Sequence, residues 1–171
     1  MTVHSHVDAQ VYTAFSTFNN FTLYRRALTL KLFPLLMAGL GIANLLGGYA
    51  LLGIACILLG ILLPLAYIGF HRRALANQIA HFNLDTPRLS YKVSLDQTGV
   101  SLENGKEKAR YPYEMFHCSY RVNGCIYLYL TKTKCFILPA KDFQDGVTEE
   151  ELWVFLQEKL GEQRTIHYNK K

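Results

Sequence analysis

His117 and Cys118 set a base beside a thiol, the pairing a nucleophilic catalyst needs. Neighbours on a strand point to opposite faces, so this adjacency keeps the imidazole from that sulfur and predicts no thiol catalysis. His4 and His6 could catch a metal, yet no further ligand follows in their segment, and solvated imidazoles are the better account. Asp142, Asp145, Glu149, Glu150 and Glu151 could bind a cation. Their position around a helix start favours dipole and capping stabilisation instead. Lys132, Lys134 and Lys141 form a candidate basic binding rim for an anionic lipid headgroup or a phosphorylated partner, with plain solvation as the alternative. Tyr111, Tyr113, Tyr127 and Tyr129 can form a core or line a pocket. There is no P-loop, G-x-G-x-x-G, H-E-x-x-H or G-x-S-x-G. Catalytic residues, bound metal and cofactor are therefore all expected to be absent.

The elements that carry these residues divide at one long apolar segment. Half of the 171 residues are hydrophobic and only 18% are charged. From Leu32 to Phe70, 39 consecutive residues lack Asp, Glu, Lys, Arg and His. As one helix that run would be roughly 58 Å long, nearly twice the ~30 Å hydrocarbon core of a bilayer. Gly47-Gly48 divides it and supplies the freedom for a reversal, so residues 27–46 and 49–70 are expected as the two arms of a transmembrane hairpin. Arg25-Arg26 and Arg72-Arg73 then fall on one side, and the positive-inside rule places both termini in the cytoplasm. The basic residues bracket the apolar run and form no stripe, which argues against a nucleic-acid partner. A cleaved signal peptide is not expected, because the run starts late and is too long.

Within the arms, Gly39, Ala43 and Gly47 recur every four positions as a helix-packing face, and Gly53, Cys56 and Gly60 share a face of the second arm. Pro64 should kink that arm. Residues 1–26, with Tyr12, Phe15, Phe18, Phe21 and Tyr24 at every third position, read as an interfacial segment, and 71–87 as a helical linker.

From 88 to 164 the period turns to two. Tyr91, Val93 and Leu95 alternate with Ser90, Lys92 and Ser94, and Asn104-Gly105 and Asn123-Gly124 read as two-residue hairpin turns. Pro112 confines its strand to an edge or an irregular position. Ideal register would set Cys118 opposite Tyr129 and Cys125 opposite Val122, which excludes a disulfide between the two cysteines and leaves them as packed thiols. Thr148 and Glu151 form a capping box for a helix whose core face carries Leu152, Phe155 and Leu156, with Trp153 partly exposed. Gly161 ends it, and 165–171 is a tail. Successive hairpins and one helix define an α+β domain, and residues from about Asp85 to Lys171 are expected to fold and bind without the membrane.

The hairpin followed by Val93 to Leu102, the strand Tyr113 to Tyr120, Tyr127-Leu128-Tyr129-Leu130 and above all Ile137-Leu138-Pro139-Ala140-Lys141-Asp142-Phe143 before a capped helix resemble the YcxB-like family of bacterial membrane proteins. The resemblance runs from about Tyr12 to Leu160. It implies a two-helix anchor in the bacterial cell membrane and a cytoplasmic domain whose small antiparallel sheet, closed by a C-terminal helix, is similar to pleckstrin-homology folds. It implies no reaction. The resulting expectation is a non-enzymatic, multi-pass membrane protein presenting a binding module for a lipid headgroup or peptide. The alternative is an accessory subunit of a transporter or membrane enzyme, docked on a membrane-protein partner through the Gly39, Ala43 and Gly47 face.

Overall fold

A computed structural model describes residues 1–84, 89–105, 108–143 and 146–168. Asp85, Asp145 and Lys171 of the sequence reading lie outside them. The chain separates into two compact units, one of Met1–Tyr12 with Phe82–Lys171 and the other of Thr13–His81.

The first unit opens with a strand that the sequence reading assigned to an interfacial segment. In β1 (Thr2–Val7) Val3, Ser5 and Val7 are buried, and they alternate with Thr2, His4 and His6. β1 pairs antiparallel along its whole length with β2 (Leu89–Leu95), from Thr2 opposite Ser94 to Val7 opposite Leu89. β3 (Val100–Glu103) and β4 (Lys108–Tyr111) complete a four-stranded sheet in the order β1-β2-β3-β4. Pro112 follows β4 directly and ends its ladder, and β4 is an edge strand of this sheet. β3 and β4 do form a hairpin, but Glu103 pairs with Lys108, a register wider than a two-residue Asn104-Gly105 turn would give.

The second sheet has the order β7-β6-β5-β8, from β5 (Cys118–Val122), β6 (Cys125–Tyr129), β7 (Cys135–Pro139) and β8 (Thr165–His167). Cys118 opposes Tyr129 and Cys125 opposes Val122, as the Asn123-Gly124 turn dictates. β8 was read as part of a tail; it pairs parallel with β5, Ser119 opposite Thr165. The domain is thus α+β with two open sheets, one containing a parallel pair, and not one closed antiparallel sheet.

α4 (Glu149–Leu160) begins with the expected capping box: Glu151 N–H donates to Thr148 Oγ1 at 3.1 Å, and Thr148 N–H to Glu151 Oε2 at 2.9 Å. The core joins Val93 and Val100 of the first sheet, Ile126 and Leu138 of the second, and Leu152, Leu156 and Leu160 of α4. Trp153 belongs to it at 4% exposure while Phe155 is only half-buried against Tyr113, the reverse of the sequence reading. The strand β8 accounts for this: the Trp153 ring lies 6.3 Å from that of His167, tilted by 55°, on a side of α4 that a tail would have left open.

In the second unit, α2 (Arg26–Leu46) and α3 (Ala50–Phe82) are both long and apolar enough to cross a membrane. Their apolar windows are only 6% and 11% buried, unlike the core helix of a soluble protein. α3 runs on to Phe82, into the segment 71–87 read as a helical linker. Each helix contains a proline, Pro64 as noted in the sequence and Pro34 in addition. The close helix contact is made by Gly41, where an added Cβ would lie 2.9 Å from the Gly53 carbonyl, and by Gly60, 2.8 Å from Met37 Cβ. Between α1 (Ala9–Thr17) and α2 a π-helical turn spans Phe18–Leu23, so the every-third aromatic spacing is not carried on one regular helix.

Candidate functional site

The expected basic rim is divided by β7. Lys132 and Lys134 sit on the turn before it, Lys141 in the short 3-10 turn after it, and five strand residues alone span about 17 Å. Lys134 donates to Tyr111 Oη at 3.2 Å and lies 5.3 Å and 5.9 Å from the centres of the Tyr111 and Phe136 rings. Lys141 is held by Asp8; the hydrogen bond from this lysine lowers the carboxyl against burial, which acts to raise it, and the same bond raises the ammonium.

The segment Ile137–Phe143 instead clasps β1. Ser5 Oγ donates to the Ile137 carbonyl at 2.6 Å. Tyr91 Oη donates to the same carbonyl and accepts from Ile137 N–H, both at 2.8 Å, and burial pushes its phenol up to about 12. His6 N–H donates to Asp142 Oδ2 at 2.7 Å, Lys141 pairs with Asp8, and Val3 bridges to Phe143. These contacts join the N-terminal strand, the Asp8 that follows it, and its partner β2 to the β7 end of the second sheet.

The acidic residues are spoken for individually. Glu149 and Glu150 receive Arg121 at 2.7 Å and 2.6 Å, Glu151 caps α4, and among the described residues no group of three His, Cys, Asp or Glu could hold a metal. Tyr113, Tyr127 and Tyr129 are buried at 5% or less, so they pack and do not line an open pocket; Tyr111 is half-buried. Burial also pushes up the thiols of Cys118 and Cys135, and that of Cys125 to about 11, away from the thiolate a nucleophile needs. His117 is exposed, its backbone N–H donating to the Tyr129 carbonyl.

One polar feature was not singled out in the sequence. A shallow groove of about 320 Å³ runs over the outer face of β2, β3 and β4, lined by Lys92, Ser94, Asp96, Ser101, Glu103, Lys108 and Arg110. Its signal was the polar half of the strand alternation. Lys92, Glu103 and Lys108 face one another across three strands, and Ser94, Ser101 and Arg110 form the next row. Asp96 anchors the far end, accepting from Thr98 Oγ1 at 2.7 Å, Thr98 N–H at 2.8 Å, Gly99 N–H at 3.0 Å and Arg110 at 2.6 Å. The Thr98 bonds above all hold this carboxyl at about 2. Gly99 is required there, because a Cβ would come within 2.5 Å of the Tyr111 carbonyl oxygen.

On the hairpin, the Gly39, Ala43 and Gly47 face is exposed and away from the close contact with α3.

Fold and site together define a two-sheet α+β domain interrupted in sequence by two long apolar helices. Residues 95–152 match the family model described as YcxB-like protein, so the chain carries a YcxB-like domain. The match includes the Ile137–Phe143 segment and stops short of the helical hairpin, a narrower reach than the resemblance read from the sequence. No curated protein and no solved structure matches the chain.

Proposed function

We propose that this chain is a non-enzymatic integral membrane protein whose apolar helices cross the bilayer as a hairpin and whose two-sheet domain is a cytoplasmic binding module of pleckstrin-homology-like type. The observation that carries the reading is the pairing of β1 with β2. They are adjacent strands of one sheet, and the whole of Thr13–His81, including both apolar helices, is inserted between them. The 86% exposure of Leu46 and of Leu51, near the hairpin turn, suits contact with lipid and is costly in water. Arginine pairs at both ends of the run favour the domain on the cytoplasmic side.

The second reading, an accessory subunit of a transporter or membrane enzyme, is favoured by the open Gly39 position, where an added Cβ would meet nothing within 4 Å.

Cysteine-accessibility labelling of intact cells tests the first reading, using a variant whose native cysteines are replaced. A probe at Gly48 should be modified from outside and a probe at His4 spared; modification at His4 would refute the orientation.

A further inference from the structure

We propose that the free edge of β4 receives an extended segment of a partner protein in which carboxylates alternate with apolar residues. This rests on reading the domain as a binding module and names the class of its partner.

Among the described residues β4 is the last strand of its sheet, paired on one side only. The opposite edge strand, β1, is occupied by the clasp to Ile137–Phe143, so the two edges of this sheet are not equivalent. An unpaired edge presents a row of backbone donors and acceptors suited to strand addition. The inner face confirms that the sandwich is open there. Val93 and Val100 have no exposure, whereas Ala109 and Tyr111, the inner-face residues of β4, are only half-buried. An added strand would place apolar side chains beside them.

Charge selects the outer residues of that strand. Across the outer face the row runs His4, Lys92, Glu103, Lys108, with the last three alternating in sign, and the next row ends at Arg110. A carboxylate opposite Lys108 continues the alternation, and another two residues along meets Arg110; opposite charges directly across a ladder stabilise it. A second copy of this chain fits badly. Antiparallel self-pairing of β4 with its faces matched sets Lys108 against Arg110, cation against cation.

The test uses the full chain in nanodiscs of zwitterionic lipid and short capped peptides, one alternating glutamate with valine and one alternating lysine with valine. The glutamate peptide should bind and slow amide hydrogen exchange at Lys108–Tyr111. Lys108→Glu, which leaves the Arg110–Asp96 pair intact, should weaken it about tenfold, and the double variant with Arg110→Glu should come to prefer the lysine peptide. Failure of the glutamate peptide to bind, equal binding of both peptides, or protection elsewhere in the domain would overturn the proposal. So would concentration-dependent protection of β4 without peptide, which would assign the edge to a second copy. Membrane anchoring is judged separately: release of the protein from native membranes by alkaline carbonate would refute the anchor and leaves the peptide result standing by itself.

Discussion

Asp96 is an exposed carboxylate held far below its ordinary range by the Thr98 hydroxyl and N–H, the Gly99 N–H and Arg110. A carboxyl depressed in the folded state contributes stability above its unfolded pKa, and that contribution is lost as the pH falls through the folded value. The window therefore lies between about 4 and about 2. Asp96→Asn should lower the melting temperature at neutral pH, and the gap to the parent should close as melts are repeated down to about pH 2. Trp153 makes a second residue-level case. With 4% exposure it should cost about 3–5 kcal/mol when replaced by Ala, and Phe155→Ala less than about 3, in chemical denaturation of the detergent-solubilised chain. Equal losses would show that Phe155 is as deeply seated as the sequence suggested. The sequence could place both residues on α4 but not rank them, since ranking depends on β8, a three-residue strand with a distant parallel partner.

At the scale of elements, what was legible is what is local. The capping box of α4, the register of the β5–β6 hairpin and the edge position of β4 each follow from a few neighbouring residues: Thr148 and Glu151, Asn123-Gly124, and Pro112. β1 was missed although Val3, Ser5 and Val7 alternate with polar neighbours, because its partner β2 lies beyond the whole hairpin and the segment carries a serine where an apolar residue would have signalled a strand. Ser5 is buried because its hydroxyl serves the Ile137 carbonyl. The three lysines of the basic rim show the complementary effect: Lys134 and Lys141 are near in sequence, and a strand between them sets them at its two ends. In the hairpin, period-four spacing picked the Gly39 face, while the helix contact uses Gly41. Gly41→Leu should therefore disrupt the hairpin and lower its resistance to proteolysis in detergent, and Gly39→Leu should leave it intact. Equivalent damage from both would place the contact on the wrong face.

On the scale of the whole molecule, the insertion unites these observations. Val7 and Leu89 are paired, so the chain leaves the sheet and re-enters it at neighbouring positions with Thr13–His81 in between. Such an arrangement ties the domain to the apolar helices by two covalent connections, and it makes the N-terminal strand part of the domain's own stability. The stretch from about Asp85 to Lys171, expected from the sequence to fold without the membrane, lacks that strand; without it one edge of β2 loses its ladder partner, the Ile137 carbonyl loses the Ser5 hydroxyl, and the core loses Val3. Fragment complementation tests this most directly. A fragment of Phe82–Lys171 should show no cooperative thermal transition by circular dichroism, and adding a peptide of Met1–Tyr12 should restore one. A fragment that melts cooperatively by itself, at a temperature the peptide does not change, would contradict the account.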